Sequence, residues 1–192
     1  NIAVVRGLAG TKVDQVMVGS CTNSSYRDLM VVASMLKGKR VNPDVSFGIA
    51  PGSRQVLEMI AKNGALADII ASGARILEAT CGFCIGAGQA PRTGAVSIRT
   101  SNRNFEGRSG TKSAGVYLAS PETAVAAALT GVITDPRDLG MSYPRIETPA
   151  EFWIDDSMVL PPSQDPGSVT VSRGPNIGDP PKGEPLPPTI QG

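Results

Sequence analysis

The sequence predicts an α/β domain, three αβα layers around a mostly parallel sheet, followed by an extended proline-rich linker. Two observations carry this reading. From Asp14 to about Arg137, short apolar runs alternate with amphipathic stretches, and strands separated by helices are joined by crossovers that make them parallel. Residues 159–192 instead hold Pro161, Pro162, Pro166, Pro175, Pro180, Pro181, Pro185, Pro187 and Pro188 among glycines. Proline fixes φ and removes a backbone donor, so that stretch cannot build helix or ladder. The division expected is a domain over 1–158 and a linker over 159–192, leading toward a further C-terminal domain.

Taken in order, the first strand is the apolar run 16–18, closed by Gly19-Ser20-Cys21. Asn23, Ser24 and Ser25 then offer side-chain oxygens to cap an amphipathic helix over 26–37. The run VSFGIA, 45–50, is a second strand, and Pro51-Gly52-Ser53 starts a helix over 54–62. A short helix over 66–72 leads to a strand in ARILEA, 74–79, which ends at the second cysteine motif. AVSIRT, 95–100, and VYLAS, 116–120, are the remaining strands, and Pro121-Glu122 opens an alanine-rich helix over 123–130. In open sheets of this kind ligands gather beyond the carboxyl ends of the strands, and all three cysteines are expected there.

Composition narrows the function classes. The chain has 192 residues, 41% hydrophobic and 18% charged, enough for one ordinary core. With 18 basic and 17 acidic residues the net charge is +1, which argues against nucleic acid or an anionic membrane as partner. No apolar run approaches the roughly 18 residues that a membrane span needs. An odd cysteine count and no signal-peptide pattern point to a reducing compartment, cytoplasm or mitochondrial matrix. Because the first residue is Asn1, the sequence reads as processed, trimmed or excised from something longer.

The chemistry is concentrated in Cys21, within GSCTNSS, and in Cys81 and Cys84, within ATCGFCIGAG. On counts alone they are equally compatible with inert core thiols. Their neighbours Gly, Ser, Thr and Asn instead build ligand-holding turns. Cys81 and Cys84 could form a dithiol redox pair, but that leaves Cys21 without a role, and IGAGQAP after the motif does not read as a long helix. Three thiolates and no histidine fall one short of a closed zinc or iron–sulfur site, so a metal here has an incomplete shell or an open position. An open position is what Lewis-acid chemistry requires. A second cluster, SNRNFEGR at 101–108, follows the strand 95–100. Arg103 and Arg108 there can form bidentate pairs with carboxylates, and Phe105 is expected to pin the loop to the core.

GSCTNSSYRDL, PGSR, ATCGFCIG, SNRNFEGR, YLASPETAVAAALTG and RGPNI, in that order, resemble the third, cluster-binding domain of the aconitase superfamily, with its linker. The resemblance covers nearly the whole chain. It implies that Cys21, Cys81 and Cys84 hold a 4Fe-4S cluster with one iron not ligated by protein, and that Asn102, Arg103 and Arg108 bind a tricarboxylate or related hydroxy acid. The implied activity is a hydro-lyase that dehydrates and rehydrates its substrate. CGFCIG is similar to the aconitate hydratase form, acting on citrate and isocitrate, whereas SNRNFEGR is similar to the isopropylmalate branch. Aconitate hydratase is the first expectation, with a 3-isopropylmalate or homoaconitate hydro-lyase, or a non-catalytic cluster-dependent binding module, as alternatives. The family also draws histidine, acidic and serine groups from other domains. The chain is therefore expected to need the remaining domains or subunits of the same enzyme, to contribute no catalytic residue beyond cluster and substrate ligands, and to be inactive alone.

Overall fold

A computed structural model describes residues 1–179, 182 and 183. It contains strands β1 (Gln15–Gly19), β2 (Ser46–Ala50), β3 (Arg75–Ile76), β4 (Val96–Arg99) and β5 (Gly115–Leu118). The α-helices are α1 (Tyr26–Leu36), α2 (Arg54–Lys62), α3 (Ala65–Ala71) and α4 (Pro121–Thr130). All strand pairs are parallel and the sheet order is β3-β2-β1-β4-β5. The three-layer α/β class expected from the alternation is the class observed.

Strand period explains the layers. Val16, Val18, Phe47, Ile49 and Ile98 turn one way and join the large core with Leu29, Val32, Leu36, Ile60, Ile69 and Val125 of the helices. Met17 and Ala50 turn the other way and pack with Phe83 and Leu77. That second face is covered by the β3–β4 crossover, whose helical contribution is the 3₁₀ turn Phe83–Ile85. β1 lies at the centre and all five of its residues are buried, as a parallel strand covered on both faces must be.

Helix starts follow the caps. Ser25 accepts from Asp28 N at 3.2 Å while Asp28 accepts from Ser25 N at 3.0 Å, a reciprocal capping box opening α1. Ser53 caps α2 through Val56 N at 3.1 Å, and Ser120 caps α4 with Pro121 in its first turn. The strand expected over 74–79 shrinks to Arg75–Ile76. Ile76 pairs with Ile49, one residue before β2 ends, and Pro51 beyond offers no N–H to continue the ladder.

Chain contacts divide the molecule into units 1–154 and 155–192. Among the described residues of the second unit the only regular element is the 3₁₀ turn Pro166–Ser168, capped by Asp165, and Arg173 pairs with Asp179 at 2.6 Å. Pro180, Pro181, Pro185, Pro187 and Pro188, part of the expected linker, lie outside the described residues. Among the described residues no helix is long and apolar enough to cross a membrane.

Asp135 staples the start of the first unit to the end of its sheet domain. Its carboxylate is 1% exposed, accepts from Arg137 Nε at 2.8 Å and pairs with Arg6 Nε at 3.2 Å. The Arg137 hydrogen bond, with the charges of Arg137 and Arg6, holds its pKa far below the usual carboxylate value. A depressed native pKa contributes stability above the unfolded value, near 4, and loses it as pH falls through the native value. Asp135→Asn should therefore melt below the parent at pH 7, and the gap should narrow progressively below about pH 4. A gap independent of pH would assign the loss to packing alone.

Candidate functional site

The strand order makes a crevice. Because β1 connects to β2 on one side and lies beside β4 on the other, the chain leaves the carboxyl ends of β1 and β4 in opposite directions. Cys21 follows β1, the loop 100–110 follows β4, and the segment bearing Cys81 and Cys84 returns from β3 across the sheet toward β4.

The two central loops are tied together before any ligand is considered. Thr100 Oγ1 accepts from Gly19 N at 2.8 Å and donates to Gly19 O at 3.3 Å, and Thr100 N donates to Met17 O at 3.1 Å. Asn23 donates its side-chain amide to Thr100 O, and Ser24 Oγ donates to Ser20 O. Ser20 itself has φ +70, rare outside glycine. Gly19 has φ +126, and a Cβ there would stand 1.9 Å from Ala50 O. Only glycine permits β1 to end against β2 in this way.

This turn aims Ser20 into the thiols. Its hydroxyl lies 4.0 Å from Cys21 Sγ and 3.9 Å from Cys81 Sγ. Cys21 and Cys81 are exposed, whereas Cys84 is buried beneath them. Hydrogen bonds from Thr22 and then Ser20 lower the Cys21 thiol below its ordinary value. Burial works to raise Cys84, but the hydrogen bond and charge of Arg108, whose Nη2 is 3.5 Å from Cys84 Sγ, outweigh it and the net direction is down. Both shifts favour the thiolate, the form that binds metal.

The sequence-expected site residues separate into two sets. Cys21, Cys81, Cys84 and Arg108 are brought together, while Asn102 and Arg103 are exposed on the same loop as Arg108. Phe105 does not pin that loop to the core: it is 65% exposed, and its ring instead takes the Arg108 guanidinium at 5.3 Å. Sequence reading missed Ser20, Thr100 and above all Arg99. A charged residue inside the apolar run AVSIRT of a central parallel strand was the available signal. Arg99 is 1% exposed, and burial pushes its pKa down to about 10.

The donor set fits an iron–sulfur group better than a single ion. Among the described residues no three His, Cys, Asp or Glu side chains are arranged to hold one metal ion. A cluster takes one thiolate per iron and so accepts a wider set. Among the described residues, the buried polar side-chain atoms left without a partner are Ser101 Oγ, Arg108 Nε and Ser109 Oγ, all in the loop that borders the thiols. Buried polar groups are nearly always paired, so three orphans in one loop leave hydrogen-bonding capacity open to a ligand or to water.

Known proteins resemble this chain over much of its length. A family model described as the aconitase family (aconitate hydratase) matches residues 5–131. A 3-isopropylmalate dehydratase large subunit 1 of Methanopyrus kandleri is 44% identical over 138 residues, covering 71% of this chain and 33% of the relative. A probable methanogen homoaconitase large subunit of Methanosarcina mazei is 47% identical over 140 residues, covering 72% and 35%. A homoaconitase large subunit of Thermus thermophilus is 43% identical over 142 residues, covering 72% and 34%. The chain spans about a third of the length of the curated relatives it matches. These relatives are named as isopropylmalate dehydratase and homoaconitase subunits, whereas aconitate hydratase, the first expectation, is named in the family description.

Gly19 offers a test of the turn. Gly19→Ala combines a left-handed φ with a backbone clash and should cost more than about 2 kcal/mol in urea unfolding. Gly10→Ala, at φ +84 with nothing within 4 Å of the added Cβ, should cost about 1–2 kcal/mol from φ alone. Equal costs at the two positions would mean that β1 can end without this close approach.

Proposed function

The chain belongs to the aconitase family, and from that premise we propose that it is the cluster-holding part of a hydro-lyase of the 3-isopropylmalate dehydratase or homoaconitase large-subunit kind. The observation that carries the proposal is the approach of Cys21 and Cys81 to the Ser20 hydroxyl, with Arg108 on Cys84, at the crevice between β1 and β4. Held there by the three thiolates, a 4Fe-4S cluster would supply one iron free of protein ligands as a Lewis acid toward a substrate hydroxyl.

The chain's own residues have the complementary tasks. Arg103 and Arg108 are proposed to grip substrate carboxylates through planar, two-pronged donors, with Asn102 adding an amide. Arg108 has Nη2 on Cys84 and an unpartnered Nε, so one guanidinium can touch both thiolate and substrate. The substrate class is a di- or tricarboxylic hydroxy acid that loses and regains water across neighbouring carbons. The chain has no histidine, and the group that takes the carbon-bound proton is proposed to come from the rest of the enzyme. Relatives named as large subunits support a small subunit as the partner. The proline-rich segment 159–192 is proposed as the connection to such further parts.

Anaerobic reconstitution of the 192-residue chain with iron and sulfide should give about four irons per chain, and oxygen should strip the unligated iron first. Cys21→Ser, Cys81→Ser and Cys84→Ser should each abolish or severely weaken assembly. Stoichiometric zinc binding with no iron uptake would overturn the reading. In the complete enzyme, activity is expected on isopropylmalate or homoaconitate rather than citrate. There Arg103→Lys should lower turnover or affinity about tenfold or more at unchanged iron content, since a lost charge-assisted contact is worth about 1.5–3 kcal/mol. Full activity of that variant with every candidate acid would remove the arginine from substrate binding.

A further inference from the structure

Arg99 is a buried cation with no acid partner among the described residues. Its guanidinium is 1% exposed, and every acceptor around it is neutral. Nε donates to Ser97 Oγ at 3.0 Å, Nη1 to Phe83 O at 2.5 Å, and Nη2 to Gln15 Oε1 at 2.9 Å and Gln89 O at 2.7 Å. The Phe83 ring lies 5.8 Å from the guanidinium carbon. Among the described residues no carboxylate pairs with it. An unpaired buried charge is among the most expensive features a fold can carry, and hydrogen bonds to neutral groups offset only part of it.

The acceptors identify what the charge is for. Phe83 immediately precedes Cys84, and Gln89 closes the same glycine-rich segment before it reaches β4. Arg99 therefore grips this segment on both sides of Cys84. It does so from β4, the strand whose neighbour β1 carries Cys21. The segment has little of its own to hold it: a three-residue 3₁₀ turn is its one regular element. The charge acting on it is that of Cys84, which favours the protonated guanidinium.

We propose that Arg99 is the positioning residue and buried counter-charge of the three-cysteine site, fixing the Cys81–Cys84 segment through the Phe83 and Gln89 carbonyls while balancing the negative charge of the thiolate-held group. This rests on the cluster reading above. The role divides into a fork, which lysine cannot reproduce, and a charge, which lysine keeps. Gln15 separates them differently. Gln15→Glu would place a carboxylate against Nη2, giving Arg99 an acid partner inside the protein and cancelling its charge toward the site, with the loss of one 3.3 Å donation from the Gln15 amide to Gln89 O.

The test uses the reconstituted 192-residue chain, with iron loss to a chelator, reductive titration of the cluster and melting of the iron-free protein as readouts. Arg99→Lys should lose iron at least about tenfold faster with a potential near the parent's. Gln15→Glu should melt at or above the parent when iron-free, yet shift the reduction equilibrium about tenfold toward the oxidised form, about 59 mV for one electron. Arg99→Gln should show both defects. If Gln15→Glu and Arg99→Lys load, hold iron and titrate like the parent, Arg99 is a core residue only and the proposal is overturned. A parent chain that takes up no cluster fails earlier and sinks the cluster reading together with this one.

Discussion

Parallel pairing forces every strand of this sheet to finish on the same edge, and the contents of the site follow from that constraint. β1 sits in the middle with β2 on one flank and β4 on the other, so the residues after β1 and β4 are neighbours although about 80 positions apart in sequence, as the Gly19 to Thr100 hydrogen bond records. The β3–β4 connection then has to travel from one edge of the sheet past β1. Its path over the second face places Phe83 on Met17 and Ala50, and brings Cys81 and Cys84 to the loop that holds Cys21. A change of strand order would leave each cysteine motif intact and scatter the thiols.

Local signals in the sequence were strong where a single segment decides its own structure. Ser53 ahead of a spaced apolar run delimits α2 at the expected residues, and the Ser25 to Asp28 pairing starts α1 where the polar run ends. The reading was weaker where a partner decides. ARILEA has the composition of a six-residue strand, but β2 offers it only two paired positions before Pro51. Phe105 looked like an anchor because large aromatic rings usually bury; here the ring stays outside and stacks with Arg108.

The candidate site was half legible for a similar reason. Cysteines set among glycine, serine and asparagine announce themselves, since those neighbours are poor choices for a core. Ser20, Thr100 and Arg99 do not, because their roles exist only through residues far away in sequence. Arg99 is the sharpest case. In a chain read one strand at a time, arginine at the end of AVSIRT passes for a polar residue leaving the sheet. Its register opposite Met17, on the face away from the helices, turns it inward under the crossover.

Costs that the fold avoids elsewhere are collected on this one edge. Helices α1, α2 and α4 have side-chain caps, Asp135 has two arginines, and the two faces of the sheet close over apolar side chains. At the crevice, by contrast, Ser20 sits at positive φ, Arg99 is buried with no carboxylate partner among the described residues, and Ser101, Arg108 and Ser109 each leave a buried polar atom unpaired. A sequence selected for stability alone would replace several of these residues with apolar ones of similar volume. Strain and unpaired polarity persist where surrounding structure holds them and a bound group relieves them. The unpaired polar atoms and the buried cation here would suit an anionic group and acidic ligands, so the edge that the topology builds is also the edge whose electrostatics leave room for a partner.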